Sequence, residues 1–486
     1  MTTGATEGKA AADEGGYEAF KVEQRGIELV PDDERPMRPA GLFWLWAGAT
    51  WNVEFLVYGA LIVSFGLSFT QAVIAVLVGN AFYVLLGLAS LQGPETGTTA
   101  LMVSRAPFGA NGNRIPSLFN WITQVGFEIE GLALIVLVLV AMFARGGVHS
   151  GTGLEIVFIV FAVALQFVMP FLGHATITRV LRWLSFVFIV LFAVMAALVI
   201  PKVDLAHLHQ HATLAIWTTA LVLVISAGGL GWTENGNDYS RYLPRATPKA
   251  RTFWGATLGA AIPSILLELL GAAAYVVSPH ATSVTGVPSS FASWFFWPFL
   301  VLAIVQLLAI NTLDMYSSGV TLQALGLPVK RVGAVLIDTV VAGAVTAAVI
   351  FSSDFYTYLS GFLDYIVVWL APWFGILMVD WLLRRGRYDR AGLATPSGGV
   401  YWRDGGVNWR AIVALVLGMT AALMWINAQF YQPSYLSPIS AATGGSDLSW
   451  LVGALVGAAA YWALSFRSVP AELVASEALT DGFGRR

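Results

Sequence analysis

Glu128 and Glu130 stand two residues apart in QVGFEIEGLAL, at the head of a run, LIVLVLVAMF, that is otherwise apolar. A carboxyl in such a segment can carry a proton or hydrogen-bond a ligand, and its cost in hydrocarbon makes it face a cavity or a bundle interior. At about 100° per residue, Gln124, Phe127 and Gly131 share one helical face. The two glutamates flank it about 200° apart, so both cannot reach one cavity. Glu128 lies nearer that face and is the expected contributor, which leaves Glu130 as a protonated carboxyl hydrogen-bonded between helices. A second apolar segment, LAIVQLLAINTLDMYSSGVTLQALG, carries Gln306, Asn311, Asp314, Tyr316 and Ser317. Asp314 at its middle again points to ligand binding or proton carriage, whereas Tyr316 and Ser317 read equally well as hydroxyls turned back on their own helix. The third candidate is Trp232, set among glycines in VISAGGLGWTENGNDYSRYLP. A flat ring beside exposed backbone suits a planar ligand, which gains stacking and amide hydrogen bonds together.

The elements that must position these residues are membrane helices. Of 486 residues, 57% are hydrophobic and 11% charged, against about 25% charged in soluble domains; the mean hydropathy is +0.72. With no cysteine, disulfides, thiolate metal sites and cysteine nucleophiles are excluded. The net charge of -3 implies no particular partner, and nothing points to nucleic acid. The first forty residues lack the apolar core of a cleaved signal, so the first span is expected to be its own insertion signal.

Runs long enough to cross about 30 Å of hydrocarbon number twelve: 41–66, 70–91, 116–144, 153–173, 177–200, 213–242, 252–278, 292–326, 332–351, 355–383, 409–428 and 449–466. Placing the N-terminus in the cytoplasm puts every Lys and Arg except Arg145 and Lys202 in inner segments, as the positive-inside rule requires. An extra or missing span would invert every later loop. Both termini are therefore expected inside, in the inner or plasma membrane. The expected organisation is a cytoplasmic segment (1–40), two five-helix runs (41–200 and 201–385), a cytoplasmic loop (386–408), two further helices (409–467) and a cytoplasmic tail (468–486).

The first and sixth spans, equivalent in the two runs of five, are unfit to be uniform helices. One holds Gly48, Asn52, Glu54 and Gly59 at its middle, the other Gly228, Gly229, Gly231 and Gly236. Backbone freed at membrane depth survives only where protein or a water-filled cavity satisfies it, and paired interruptions of this kind mark the substrate and ion site of secondary transporters. Asn52 joins the candidates on that ground. GATLGAA in the seventh span reads instead as close helix packing. HLHQH, residues 207–211, beside Asp204 reads as a solvated outer loop, with metal binding the alternative. Glu268, Asp338, Asp364 and Asp380 read as structural, and GPETG (93–97) as a turn.

ERGIELVPDDER, WNVEFLVYGALIVSFGLS, GPETGTTALMVSRAPFG, DYSRYLP and YSSGVTLQALGLP, in this order and on these loops, resemble the nucleobase:cation symporters of purine and cytosine permease type over nearly all of residues 23–467. The resemblance implies an all-α fold of leucine-transporter type, a five-plus-five inverted repeat with two extra C-terminal helices. It also implies substrate held between spans 1, 3, 6 and 8, often between two aromatics. By motif these fall on Phe127, where tryptophan is more usual, and Trp232, with polar site residues at Gln124, Gln306 and Asp314. The adjacent hydroxyls that sodium-coupled members place on span 8 match Ala309 and Ile310, which cannot coordinate an ion through their side chains. Proton coupling through Glu128, Asp314 or Glu130 is therefore expected over sodium, with no cofactor. The expected activity is import of cytosine, a purine or a similar planar heterocycle. A hydantoin, allantoin or vitamin importer, possibly sodium-coupled, is the rival. An embedded enzyme would need a metal or nucleophile constellation, and His174 is the one histidine near a span end. A channel would need polar rings around a pore, which are not evident. Oligomeric state is not legible.

Overall fold

The computed structural model describes residues 20, 25–149, 151–204, 211–291, 293–352, 355–429 and 434–473. Helices α1 (Pro39–Thr50) and α2 (Val53–Ser64) divide the first apolar segment, α3 (Phe69–Ala81) and α4 (Tyr83–Ser90) the second. Three short helices, α5 (Gln92–Thr96), α6 (Ala100–Val103) and α7 (Arg105–Phe108), lead to the long α8 (Arg114–Arg145), α9 (Thr152–Leu172) and α10 (His174–Val199). Then α11 (Leu214–Ala227) stops early, and the chain resumes through a 3-10 turn (Thr233–Asn235) into α12 (Gly236–Ser240). The long α13 (Lys249–Val277), α14 (Phe296–Ala324), α15 (Arg331–Phe351) and α16 (Phe355–Leu383) follow, with α17 (Arg390–Ala394) in the next loop. Finally α18 (Trp409–Leu423), α19 (Pro438–Ala442) and α20 (Ser449–Ser465) complete the described fold. Among the described residues seven helical stretches are long and apolar enough to cross a membrane, and five shorter apolar helices accompany them.

Both interruptions lie within the segments whose composition predicts them, for different reasons. At the first, Asn52 is extended (φ -129°, ψ 142°) and its side chain accepts from the Glu54 N–H at 3.1 Å, capping α2. Gln306 Oε1 accepts the next free amide, Val53 N–H, at 3.1 Å. These side chains replace helical bonds that the break removes. At the second, the glycines serve close approach. A Cβ on Gly229 would stand 2.1 Å from the Phe82 carbonyl carbon, and one on Gly231 1.9 Å from Ser226 O. The unwound chain thus crosses directly over the α3–α4 junction.

Glycine also sets the packing of α2 on α13. A Cβ at Gly59 would lie 1.9 Å from Glu268 O, and one at Gly271 1.8 Å from Leu56 O. Gly259, in GATLGAA, sits against the α1 backbone at Phe43, which is the packing role expected of it. At the C-terminal end, α18 and α20 close on Pro372 of α16 through Gly418 and Gly457. The buried Arg384–Asp380 pair (2.8 Å), to which Tyr461 donates at 2.8 Å, ties α20 to α16. GPETG differs from its reading as a turn: α5 continues through Thr96, and only Gly97 (φ +70°) turns left-handed to end it. Of HLHQH, only His211 lies within the described residues. Among these no group of three or more His, Asp or Glu is placed to hold a metal.

Candidate substrate cavity at the two helix breaks

A buried cavity lies where α2, α8, α14 and the turn after α11 meet, lined by Glu54, Phe55, Tyr58, Phe127, Ala227, Trp232, Ile310, Asn311 and Asp314. Its free volume is about 10 Å³, room for one water. Phe127 and Trp232 both line it, their planes within 12° of parallel and their centroids 6.3 Å apart. A ring inserted between two others needs about 7 Å, twice the carbon–carbon contact distance. Each face is braced from behind, Trp232 edge-on by Trp46 at 5.5 Å and Phe127 by Phe362 at 5.2 Å.

The rim is acidic and amide-bearing. Asp314 is buried with Oδ1 unpartnered, and Asn311 likewise has a free Oδ1 while its Nδ2 donates to Gln166 Oε1 (2.9 Å) and Glu128 O (3.1 Å). Tyr58 donates to Glu130 Oε1 at 2.6 Å, and Glu54 accepts from Asn52 Nδ2 at 3.3 Å. Of the expected site residues, Phe127, Trp232 and Asp314 line this cavity.

Other expected side chains lie elsewhere. Gln124 Nε2 donates to Glu234 Oε1 (3.1 Å) and Asn235 Oδ1 (2.8 Å), bracing the 3-10 turn of the second break. Gln306 and Asn52 hold the first break in shape and do not line the cavity. Neither glutamate of α8 lines the cavity. Glu128 Oε1 is bonded to Ser318 Oγ at 2.8 Å, which is bonded in turn to Asp338 Oδ2 at 2.7 Å, and none of the three borders the cavity. Glu130 reaches the cavity wall through Tyr58. The reason is that protein, not ligand, covers the Gln124–Gly131 face. A Cβ on Gly131 would lie 2.1 Å from Asn311 Oδ1, so α14 packs directly there. Of that face only Phe127, at its edge nearer Glu130, borders the cavity, and Glu130 follows three residues later, about 60° to its other side. Glu54 and Tyr58, one turn apart on α2, are absent from the expected set; their i, i+4 spacing after the break is the signal that could have found them. Glu234 was hidden because its neighbours are covered only by tertiary packing.

Beneath the cavity the motifs of the resemblance converge. Asp238 Oδ1 accepts the Ala100 N–H (3.1 Å), Tyr239 donates to Leu313 O (2.8 Å), and Arg241 donates to Gly26 O (2.7 Å) and Tyr316 Oη (2.8 Å). Arg35 Nη1 donates to Pro94 O at 2.7 Å, and the His174 ring stacks on Tyr242 at 4.0 Å. Segments distant in sequence therefore form one hydrogen-bonded layer that closes the bundle on the arginine-rich side.

Two broken helices meeting at a buried aromatic and acidic cavity in an apolar bundle define a membrane transporter. The chain belongs to the family of permeases for cytosine/purines, uracil, thiamine and allantoin, which residues 29–453 match; it is a permease and not an enzyme. It is 30% identical over 461 residues to the "Putative purine-cytosine permease YxlA" of Bacillus subtilis (strain 168), covering 92% of this chain and 96% of that one. To purine-cytosine permease FCY2 of Saccharomyces cerevisiae it is 24% identical, with 84% and 78% covered. Its fold is that of Mhp1, a nucleobase-cation-symport-1 family transporter solved in a closed conformation with bromovinylhydantoin bound, at a TM-score of 0.73 and 19% identity over 90% of this chain and 93% of that one.

Proposed function

We propose that the protein imports a nucleobase or similar planar heterocycle by proton symport and alternating access. The observation that carries this reading is the parallel Phe127–Trp232 pair at 6.3 Å, with Asp314, Asn311 and Glu54 around its edge. A heterocycle between the rings gains two stacking faces, while its ring N–H and exocyclic groups meet carboxyl and amide oxygens. The relatives named for purines and cytosine, and the hydantoin bound to Mhp1, are planar compounds of this kind. In this reading the fold is an all-α, five-plus-five inverted repeat of leucine-transporter type with two further helices. Twelve crossings and both termini in the cytoplasm complete it, with the boundaries drawn from the sequence.

Coupling is assigned to Asp314 and Glu130. Among the described residues no Lys or Arg is paired with Glu54, Glu130 or Asp314. An uncompensated carboxylate at membrane depth costs about 3 kcal/mol or more, which a proton removes. Ile310, aliphatic, stands at the cavity where a sodium ligand is expected of sodium-coupled members. Glu128 is assigned a structural proton. A serine hydroxyl has one hydrogen, so Ser318 cannot donate to both Glu128 and Asp338, and one of those carboxyls donates to it.

The reading is tested by thermal shift and proteoliposome uptake with a panel of nucleobases, hydantoins, allantoin and thiamine, with and without sodium, from pH 5 to pH 8. Sodium-independent binding of one nucleobase with uptake driven by an inward proton gradient is expected. Binding of none of them, or uptake that requires sodium, overturns substrate class or coupling respectively.

A further inference from the structure

On the arginine-rich side, outside the bundle, a cleft of about 400 Å³ opens between the start of α1 and the first turns of α10, lined by Arg38, Thr178, Arg179, Arg182 and Trp183 among others. The three guanidinium groups are exposed, and among the described residues no acidic side chain is paired with them. Trp183 is 68% exposed, as an aromatic anchored at a headgroup layer is. The same face of α10 then turns apolar at helical spacing, with Phe186, Val187 and Val190 exposed. These line a second groove of about 540 Å³, closed on its other side by Pro298 and Leu302 of α14.

We propose that the cleft binds the phosphate headgroup of an anionic phospholipid, with an acyl chain laid in the α10–α14 groove. Charge selects the headgroup: three exposed arginines offer forked donors to phosphate oxygens, a geometry that guanidinium matches. Continuity selects a lipid over a soluble phosphate: from Trp183 to Val194 α10 rises about 16 Å, so the apolar groove leads from the arginine cleft into the hydrocarbon. The bound lipid bridges α1, one arm of the first break, to α10.

The full-length chain, purified in mild detergent and exchanged into nanodiscs of phosphatidylcholine with increasing phosphatidylglycerol, is examined by native mass spectrometry for retained lipid. Each arginine near a charged surface is worth about fivefold in affinity, so Arg179→Gln/Arg182→Gln should bind phosphatidylglycerol about 25-fold more weakly. Arg179→Lys/Arg182→Lys should retain most of the binding. All three proteins should bind substrate alike in pure phosphatidylcholine, which shows that the variants are folded. Equal retention of phosphatidylglycerol by wild type and the glutamine variant overturns the proposal. So does displacement of the lipid by inorganic phosphate at equal concentration, which would make the cleft a soluble-anion site. Binding that appears only after removal of residues 1–19, which include Glu7, Asp13, Glu14 and Glu18, would give the cleft to the chain's own acidic segment and equally refute a lipid.

Discussion

Replacing Trp232 by alanine isolates the stacking term. Trp232 is buried at 4% exposure and parallel to Phe127 at 6.3 Å. An inserted ring needs about 7 Å between the two planes, so the pair separates to admit the substrate, whose two faces are then covered. Stacking on one aromatic face is worth about 1–3 kcal/mol per base, which predicts a Kd weakened about 5-fold to 140-fold. The same truncation removes packing against Trp46 and costs about 3–5 kcal/mol of stability, so a weaker binder could simply be a partly unfolded one. Trp232→Phe separates the two, since it keeps a ring face while losing part of the packing, and its Kd should stay within about fivefold of wild type. Binding is measured by calorimetry on detergent-purified protein at a temperature where near-ultraviolet dichroism shows each variant folded. A folded Trp232→Ala protein with wild-type Kd would refute the sandwich and remove this residue from the site.

Three further outcomes follow from the same geometry. Asp314→Asn should abolish accumulation driven by a proton gradient yet retain substrate exchange, because the amide keeps the hydrogen bond but carries no titratable proton; uphill uptake by this variant would sink the coupling assignment. Glu128→Gln should leave substrate Kd within about twofold, since its carboxyl faces Ser318 and Asp338 and an amide supplies the same donor; a tenfold loss would return Glu128 to the cavity. Gly59→Val should lower the melting temperature sharply or prevent folded expression, because its Cβ would sit 1.9 Å from Glu268 O and overpacking of a backbone crossing costs about 1–3 kcal/mol or more; wild-type melting would contradict the α2–α13 contact.

What was legible in the sequence follows from what is local. The composition requires membrane helices, and four glycines around Trp232 cannot sit in one uninterrupted helix, so both class and second break are read from the chain alone. The motifs around Asp238 and Tyr316 are also visible, because the layer they form needs those residue types at those positions. Tertiary structure decided which face of each helix is open. Gln124, Gln306 and Asn52 are polar at membrane depth, and the sequence cannot say whether a ligand or a freed backbone amide is their partner; the amides and turns of the two breaks claim them. The placement of Glu128 against Ser318 and of Glu130 against Tyr58 has the same origin. Periodicity fixes the angle between two side chains on α8 but not the rotation of α8 in the bundle, and that rotation is set by Gly131, whose missing side chain lets Asn311 of α14 pack against it.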